Sequence, residues 1–239
     1  MVLLIVVVVI AALVVAAELV ARAILPGIVR GIVVEQLDLP ADQQLDASAS
    51  GILLPQLIGG RLDELHLTTD SVTLGGVTGA ADVTATGISL DGGGIGAATG
   101  TVRIGADQFT ALLADTDLPI DEVAFAAPDA TVSGSLSVLG IPIPVALTVT
   151  PGAEDGDIVL TPVELQVAGV TLNAQQVAER FGDLAADLTG PQRICIADQL
   201  PAGVAVTGLE ISDDAAVIDL DVDGAIVTDT ALQENGVCG

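Results

Sequence analysis

The chain opens on an unbroken apolar run, residues 2–17, with no polar position to mark one face from another. As a helix the run is about 24 Å long, slightly short of a hydrocarbon core of about 30 Å. Extending it to Leu25 gives about 36 Å and takes in Glu18 and Arg22, four residues apart and able to pair at a membrane interface. Residues 1–25 therefore read as a membrane span or a secretory signal. Ala21-Arg22-Ala23 fits the small-x-small pattern of a cleavage site, but the basic segment that normally precedes a signal core is missing. No Cys lies nearby for lipid attachment. We read a retained anchor ahead of a cleaved signal. A buried core helix is the bland alternative, and the lack of an amphipathic face argues against it.

Residues 26–239 read as one domain. Residues 24–39 stay mostly apolar, bracketed by Pro26 and Pro40, and predict a short amphipathic helix after the anchor. Residues 51–60 form a second apolar stretch, broken by Pro55 and closed by Gly59-Gly60. From Arg61 onward the period becomes two. Strands are predicted from Leu62 to Leu74, at 83–90, 100–104, 130–139, 143–149, 157–167, 204–211 and 216–222, rich in Val and Thr. Turn chemistry separates them: Gly75-Gly76, Asp91-Gly92-Gly93-Gly94, Asp155-Gly156 and Asp213-Asp214. Two helices interrupt the strands. Residues 106–114 carry Phe109, Leu112 and Leu113 on one side. In residues 173–188, Asn173 can cap, and Val177, Phe181, Leu184 and Leu188 recur at helical spacing. Each helix follows a similar strand, which hints at a duplicated unit.

Consecutive strands with short turns make antiparallel meanders. The expected architecture is α+β: a long curved antiparallel sheet wrapping amphipathic helices, preceded by an N-terminal membrane helix. Its inner face would be aliphatic and small-chained, because only 1% of the residues are aromatic: Phe109, Phe125 and Phe181. A loosely filled aliphatic interior is a natural place for an acyl chain.

Charge and composition narrow the chemistry. There are 6 Arg and no Lys against 32 acidic residues, a formal net charge of -26, so phosphate backbones are repelled and nucleic-acid binding is excluded. One His leaves little for metal clusters or general-base catalysis. Neither an enzyme nor a cofactor is expected. Cys195 and Cys238 are a pair with none left over, suited to a disulfide in an oxidising compartment, with two buried free thiols as the alternative. The bond would contribute about 3–4 kcal/mol and tie down the C-terminal tail.

Four constellations invite a sharper reading. Asp219-Leu220-Asp221-Val222-Asp223-Gly224 matches the first half of a calcium loop, but Thr230 stands where the closing Glu belongs and the flanks read as strand. We read a solvated acidic face that protects a sheet edge, with weak calcium binding as the alternative. His66 alternates with Leu65 and Leu67, which makes it an exposed strand histidine. Gly92-Gly93-Gly94 is a flexible turn, since no Lys exists to complete a phosphate loop. Arg61 and Arg103 are lone cations in acidic surroundings. Either could hold a lipid phosphate bidentately, with a salt bridge to a neighbouring carboxylate as the plainer role.

Several segments, in order, carry a resemblance: Gly60-Arg61-Leu62-Asp63-Glu64-Leu65, Gly100-Thr101-Val102 with its helix, Ser137-Val138-Leu139-Gly140-Ile141-Pro142, Leu160-Thr161-Pro162-Val163, Leu200-Pro201-Ala202-Gly203 and Gly236-Val237-Cys238-Gly239. From about Arg22 to the C-terminus the chain resembles the actinobacterial LmeA-like phospholipid-binding family. The resemblance implies a fold like tubular lipid-binding domains and an envelope protein on the extracytoplasmic face of the plasma membrane. It implies binding of phospholipids, inositol phospholipids among them, and a role in making envelope lipids. On this expectation Phe109, Leu112, Val177, Phe181 and Leu184 line the acyl chains, and Arg61 and Arg103 orient the headgroup. The competing expectation is a non-enzymatic scaffold whose acidic sheet binds an envelope biosynthetic enzyme.

Overall fold

The computed structural model describes residues 2–36, 39–74, 77–114, 120–138, 141–173, 176 and 190–238. The first element, α1 (Val2–Gln36), is one helix of 35 residues, about 52 Å long. The break predicted at Pro26 does not occur. Proline there removes one N–H, normally donated to the Arg22 carbonyl, and tertiary contacts hold the second half of the helix in place. Val29 is buried, and the Arg30 guanidinium donates to the carbonyls of Gln43 and Ala41, each at 2.8 Å. The first half is bare: Leu4, Ile10 and Val15 are each more than half exposed.

The chain then forms β1 (Asp46–Ala49) and α2 (Leu53–Ile58). Pro55 falls in the first turn of α2, where its missing N–H costs no helical bond. Ile52 supplies no side-chain cap. The cap comes instead from α1: the Glu18 carboxylate accepts the Leu53 and Leu54 N–H groups, both at 2.9 Å. Arg22 pairs with Glu18 at 2.9 Å and donates to the Gly51 carbonyl. Leu53, 1% exposed, is the best-buried side chain in this corner.

The remaining strands are β2 (Arg61–Leu74), β3 (Val77–Ser89), β4 (Ala97–Gly105), β5 (Ile120–Ala126), β6 (Asp129–Val138), β7 (Ile141–Glu154), β8 (Asp157–Val167), β9 (Val170–Asn173), β10 (Gln192–Ile194), β11 (Val204–Ser212) and β12 (Ala215–Asp223). The class is α+β, as expected, but the strands divide over two antiparallel sheets rather than one. The first has the order β1-β2-β3-β4-β12-β11; the second runs β10-β8-β7-β6-β5, with β9 also paired to β8. The short helix α3 (Ala106–Ala114) carries the chain out of the first sheet after β4, and β11–β12 returns later to close against β4. The β7–β8 hairpin turns at Asp155 and Gly156, both at positive φ, as a tight two-residue turn requires.

The register sorts the side chains of the first sheet onto two faces. One row reads Ala47, Leu67, Val83, Gly100 and Leu220; its neighbour on the other face reads Asp46, Thr68, Asp82, Thr101 and Asp219. The two sheets meet at a small core of Ala130, Val149, Ile211 and Ala216, flanked by Phe109, Phe125, Leu160 and Leu209. Phe109 and Phe125 stack edge-to-face with centroids 5.5 Å apart. Two of the three phenylalanines thus fill the seam. The total accessible surface is 14660 Å², against about 9,900 Å² for a compact monomer of this mass. The bare first half of α1 contributes to the excess.

The C-terminal segment is tied back. Cys195 and Cys238 form a disulfide, and Gly236 N–H donates to the Leu200 carbonyl at 3.0 Å.

Candidate functional site

The second sheet has a polar face and an apolar face. On the polar face Thr131 and Thr148 share a hydrogen bond of 2.9 Å, with Ser135, Glu164 and Gln166 alongside. On the other face Val132 stands opposite Leu147, which stands opposite Leu165, and one step along Gly134, Val145 and Val167 do the same. Leu136 continues the row and is 48% exposed; Leu147 is 39% exposed. Together with Ile120 these residues line an open cavity of about 430 Å³. Its size falls in the usual range for small-molecule sites, and its walls offer almost nothing to hydrogen-bond. Gly134 matters here: a missing side chain in the middle of a strand leaves a trough between its neighbours. The groove can exclude water from an alkyl chain and can do little else chemically.

The residues expected from the sequence to line acyl chains are not those of this groove. Phe109 lies in the seam, with its ring engaged by Phe125. Leu112 is in α3. Val177, Phe181 and Leu184 lie outside the described residues. Just before them, Gln176 N–H donates to Asn173 Oδ1 at 2.8 Å, and Asn173 N–H donates to Gln176 Oε1 at 3.2 Å. The signal for the groove was present in the alternation Val132-Ser133-Gly134-Ser135-Leu136, but alternation alone does not say which apolar face is left uncovered.

Arg61 and Arg103 are exposed, and among the described residues neither has a carboxylate within salt-bridge distance. Arg61 opens β2 opposite Ser89, directly after α2. Arg103 sits mid-strand on the polar face, opposite Ala80, beside a recess of about 220 Å³ that also includes Asp70, Asp82 and Thr101. Ser89 and Ala80 are nine residues apart on β3, or roughly 30 Å, so the two guanidinium groups cannot share one headgroup.

The acidic run lies on β12, whose neighbours are β4 and β11. It therefore does not guard a sheet edge, contrary to the sequence reading. Asp219, Asp221 and Asp223 alternate along one face; Asp219 accepts from Thr101 at 2.8 Å, and Asp223 caps the following 3-10 turn through the Ala225 N–H at 2.9 Å. Gly224 is explained by crowding rather than by an ion. A Cβ there would lie 2.1 Å from the Ile95 carbonyl oxygen. His66 is on the same polar face, bonded to Thr84 at 3.0 Å and 3.3 Å from Asp82.

No match was found among curated proteins or among solved structures. Residues 16–221, which include the second half of α1, both sheets and the groove, match the model of the LmeA-like phospholipid-binding family, and the chain belongs to that family.

Proposed function

We propose that this protein is an extracytoplasmic, membrane-anchored phospholipid-binding protein that supports the biosynthesis of cell-envelope lipids or lipoglycans. The observation that carries the reading is the apolar groove of the second sheet. One acyl chain lies over Val132, Gly134 and Leu136 on one side and Leu147, Leu165 and Val167 on the other. Affinity comes from burial, at about 0.8 kcal/mol per methylene. The groove makes no polar demand on the rest of the lipid, which fits a carrier better than an enzyme.

Placement rests on two supports. α1 contains a span, Leu4–Glu35, long and apolar enough to cross a membrane. The Cys195–Cys238 disulfide belongs to an oxidising compartment. The lone Arg61, which opens β2 just after α2, is a candidate partner for a lipid phosphate, and inositol phospholipids are candidate ligands.

The test uses the full chain in nanodiscs containing a phospholipid with a photoactivatable acyl chain. After irradiation and digestion, cross-links should map to peptides of β6, β7 and β8 as well as to α1. Labelling confined to α1 would mean that lipid merely surrounds the anchor, and the reading would fall.

A further inference from the structure

The bonds from Glu18 to Leu53 and Leu54 fix where α2 stands relative to the membrane. Glu18 is the first residue after the apolar run 2–17, and its carboxylate holds the first turn of α2 at 2.9 Å. Arg22 adds a further tie to Gly51. An exit of α1 from the bilayer near Glu18 would therefore place α2 at its surface. The segment 51–60 carries no ionisable residue. Leu53 turns inward at 1% exposure, while Ile52, Leu57 and Ile58 stand outside at 63%, 38% and 86%. The Leu90 N–H donates to the Gly60 carbonyl at 2.9 Å, which brings a fourth exposed apolar side chain, 46% exposed, beside them. Arg61 follows at once, exposed and without a carboxylate partner among the described residues.

We infer that residues 51–61 and Leu90 form a second membrane contact, in which Ile52, Leu57, Ile58 and Leu90 enter the interfacial layer of the same bilayer that α1 crosses. The occupant of this apolar patch is the lipid surface itself, since α1 continues into it from the point of attachment. The order of the segment, apolar side chains and then a free guanidinium, matches the order of an interface, acyl boundary and then phosphate. With two contacts the domain is held in one orientation on the membrane rather than swinging from a single helix. The inference rests on α1 as an anchor and is independent of whether the groove holds lipid.

Single cysteines are introduced into the full chain, whose own two are bonded, and labelled with an environment-sensitive fluorophore. Each protein is reconstituted in phosphatidylcholine–phosphatidylglycerol vesicles with or without doxyl-labelled lipid. Ile52→Cys and Ile58→Cys should show blue-shifted emission and lose it to shallow doxyl groups. Leu4→Cys should lose emission to deep ones, and Asp155→Cys, on the β7–β8 turn, to neither. Quenching at Leu4→Cys with none at Ile52→Cys and Ile58→Cys overturns the inference and leaves the anchor standing. No quenching at Leu4→Cys removes the anchor and the inference together. Neither outcome touches the cross-linking result on β6, β7 and β8, which tests the groove separately.

Discussion

Replacing Leu147 with Asn puts the groove to a quantitative test. Leu147 stands in the middle of the trough, between Val132 and Leu165, and is 39% exposed. Burying a whole leucine side chain contributes about 1.5–3 kcal/mol, so the part already buried in the empty protein is worth about 1–2 kcal/mol. Leu147→Asn, which keeps the branched four-atom side-chain shape, should cost the fold at least that much. With an acyl chain in place the remaining exposed part is covered too, which loses a further ~1 kcal/mol or so. The new amide, solvated in the open groove, would be stripped of water beneath the chain with no partner, at about 1–3 kcal/mol. The sum, about 2–4 kcal/mol, weakens binding roughly 30- to 700-fold. The assay is photo-cross-linking in nanodiscs at a sub-saturating fraction of reactive phospholipid, where yield tracks affinity. Yield on β6, β7 and β8 should fall by that factor, with yield on α1 as the internal standard. Glu164→Gln, on the opposite face, should leave both unchanged. An unaltered yield on β6, β7 and β8 in folded Leu147→Asn protein would refute the reasoning.

Three other outcomes are expected. Phe109→Ala opens a hole in the seam between the sheets and should cost about 2–4 kcal/mol in denaturant unfolding, because the ring is only partly buried; a midpoint shift near zero would show that Phe125 and its neighbours hold the seam without it. Replacing Cys195 and Cys238 together by Ser frees a loop with a sequence separation of 43 and should lower stability by about 3–4 kcal/mol; an unchanged melting temperature would mean the backbone bonds of the tail suffice. Calcium at sub-millimolar concentration should not move the melting temperature, since Asp219 and Asp223 lie about 13 Å apart along the strand and the three carboxylates do not gather around one point; a rise of several degrees would contradict this.

The strands were legible because period two, Val and Thr content and turn residues agreed from Arg61 onward. Partnering was not. β12 reads as an acidic edge strand in isolation, and only the long return that pairs it with β4 makes it central. α1 was legible as a span, but not its passage through Pro26: the bonds from Arg30 to the carbonyls of Ala41 and Gln43 that hold its second half join residues with no shared motif. The disulfide followed from simple parity of the cysteines. For the site, Phe109 drew notice as one of three aromatic residues, and its size is the reason it was recruited to the seam instead of a cavity wall. The groove is made of ordinary valines and leucines around Gly134, and nothing in such residues announces that they are uncovered.

A chain with so thin a core must find stability outside side-chain packing. Long antiparallel ladders supply part of it, as in the fourteen-residue β2 and β7. The disulfide and the ties of Glu18, Arg22 and Arg30 supply more, by restraining segments that bury little. What remains is apolar surface that the described residues leave open: the trough of the second sheet, the α2 patch and the first half of α1. A soluble monomer would be penalised for all three. In a protein whose partner is lipid they form one design. On the reading proposed above, the bilayer covers α1 and the α2 patch, and an acyl chain covers the trough. Open apolar surface in these places is then what the proposed function requires, because a fully packed interior would leave no surface for lipid to bury.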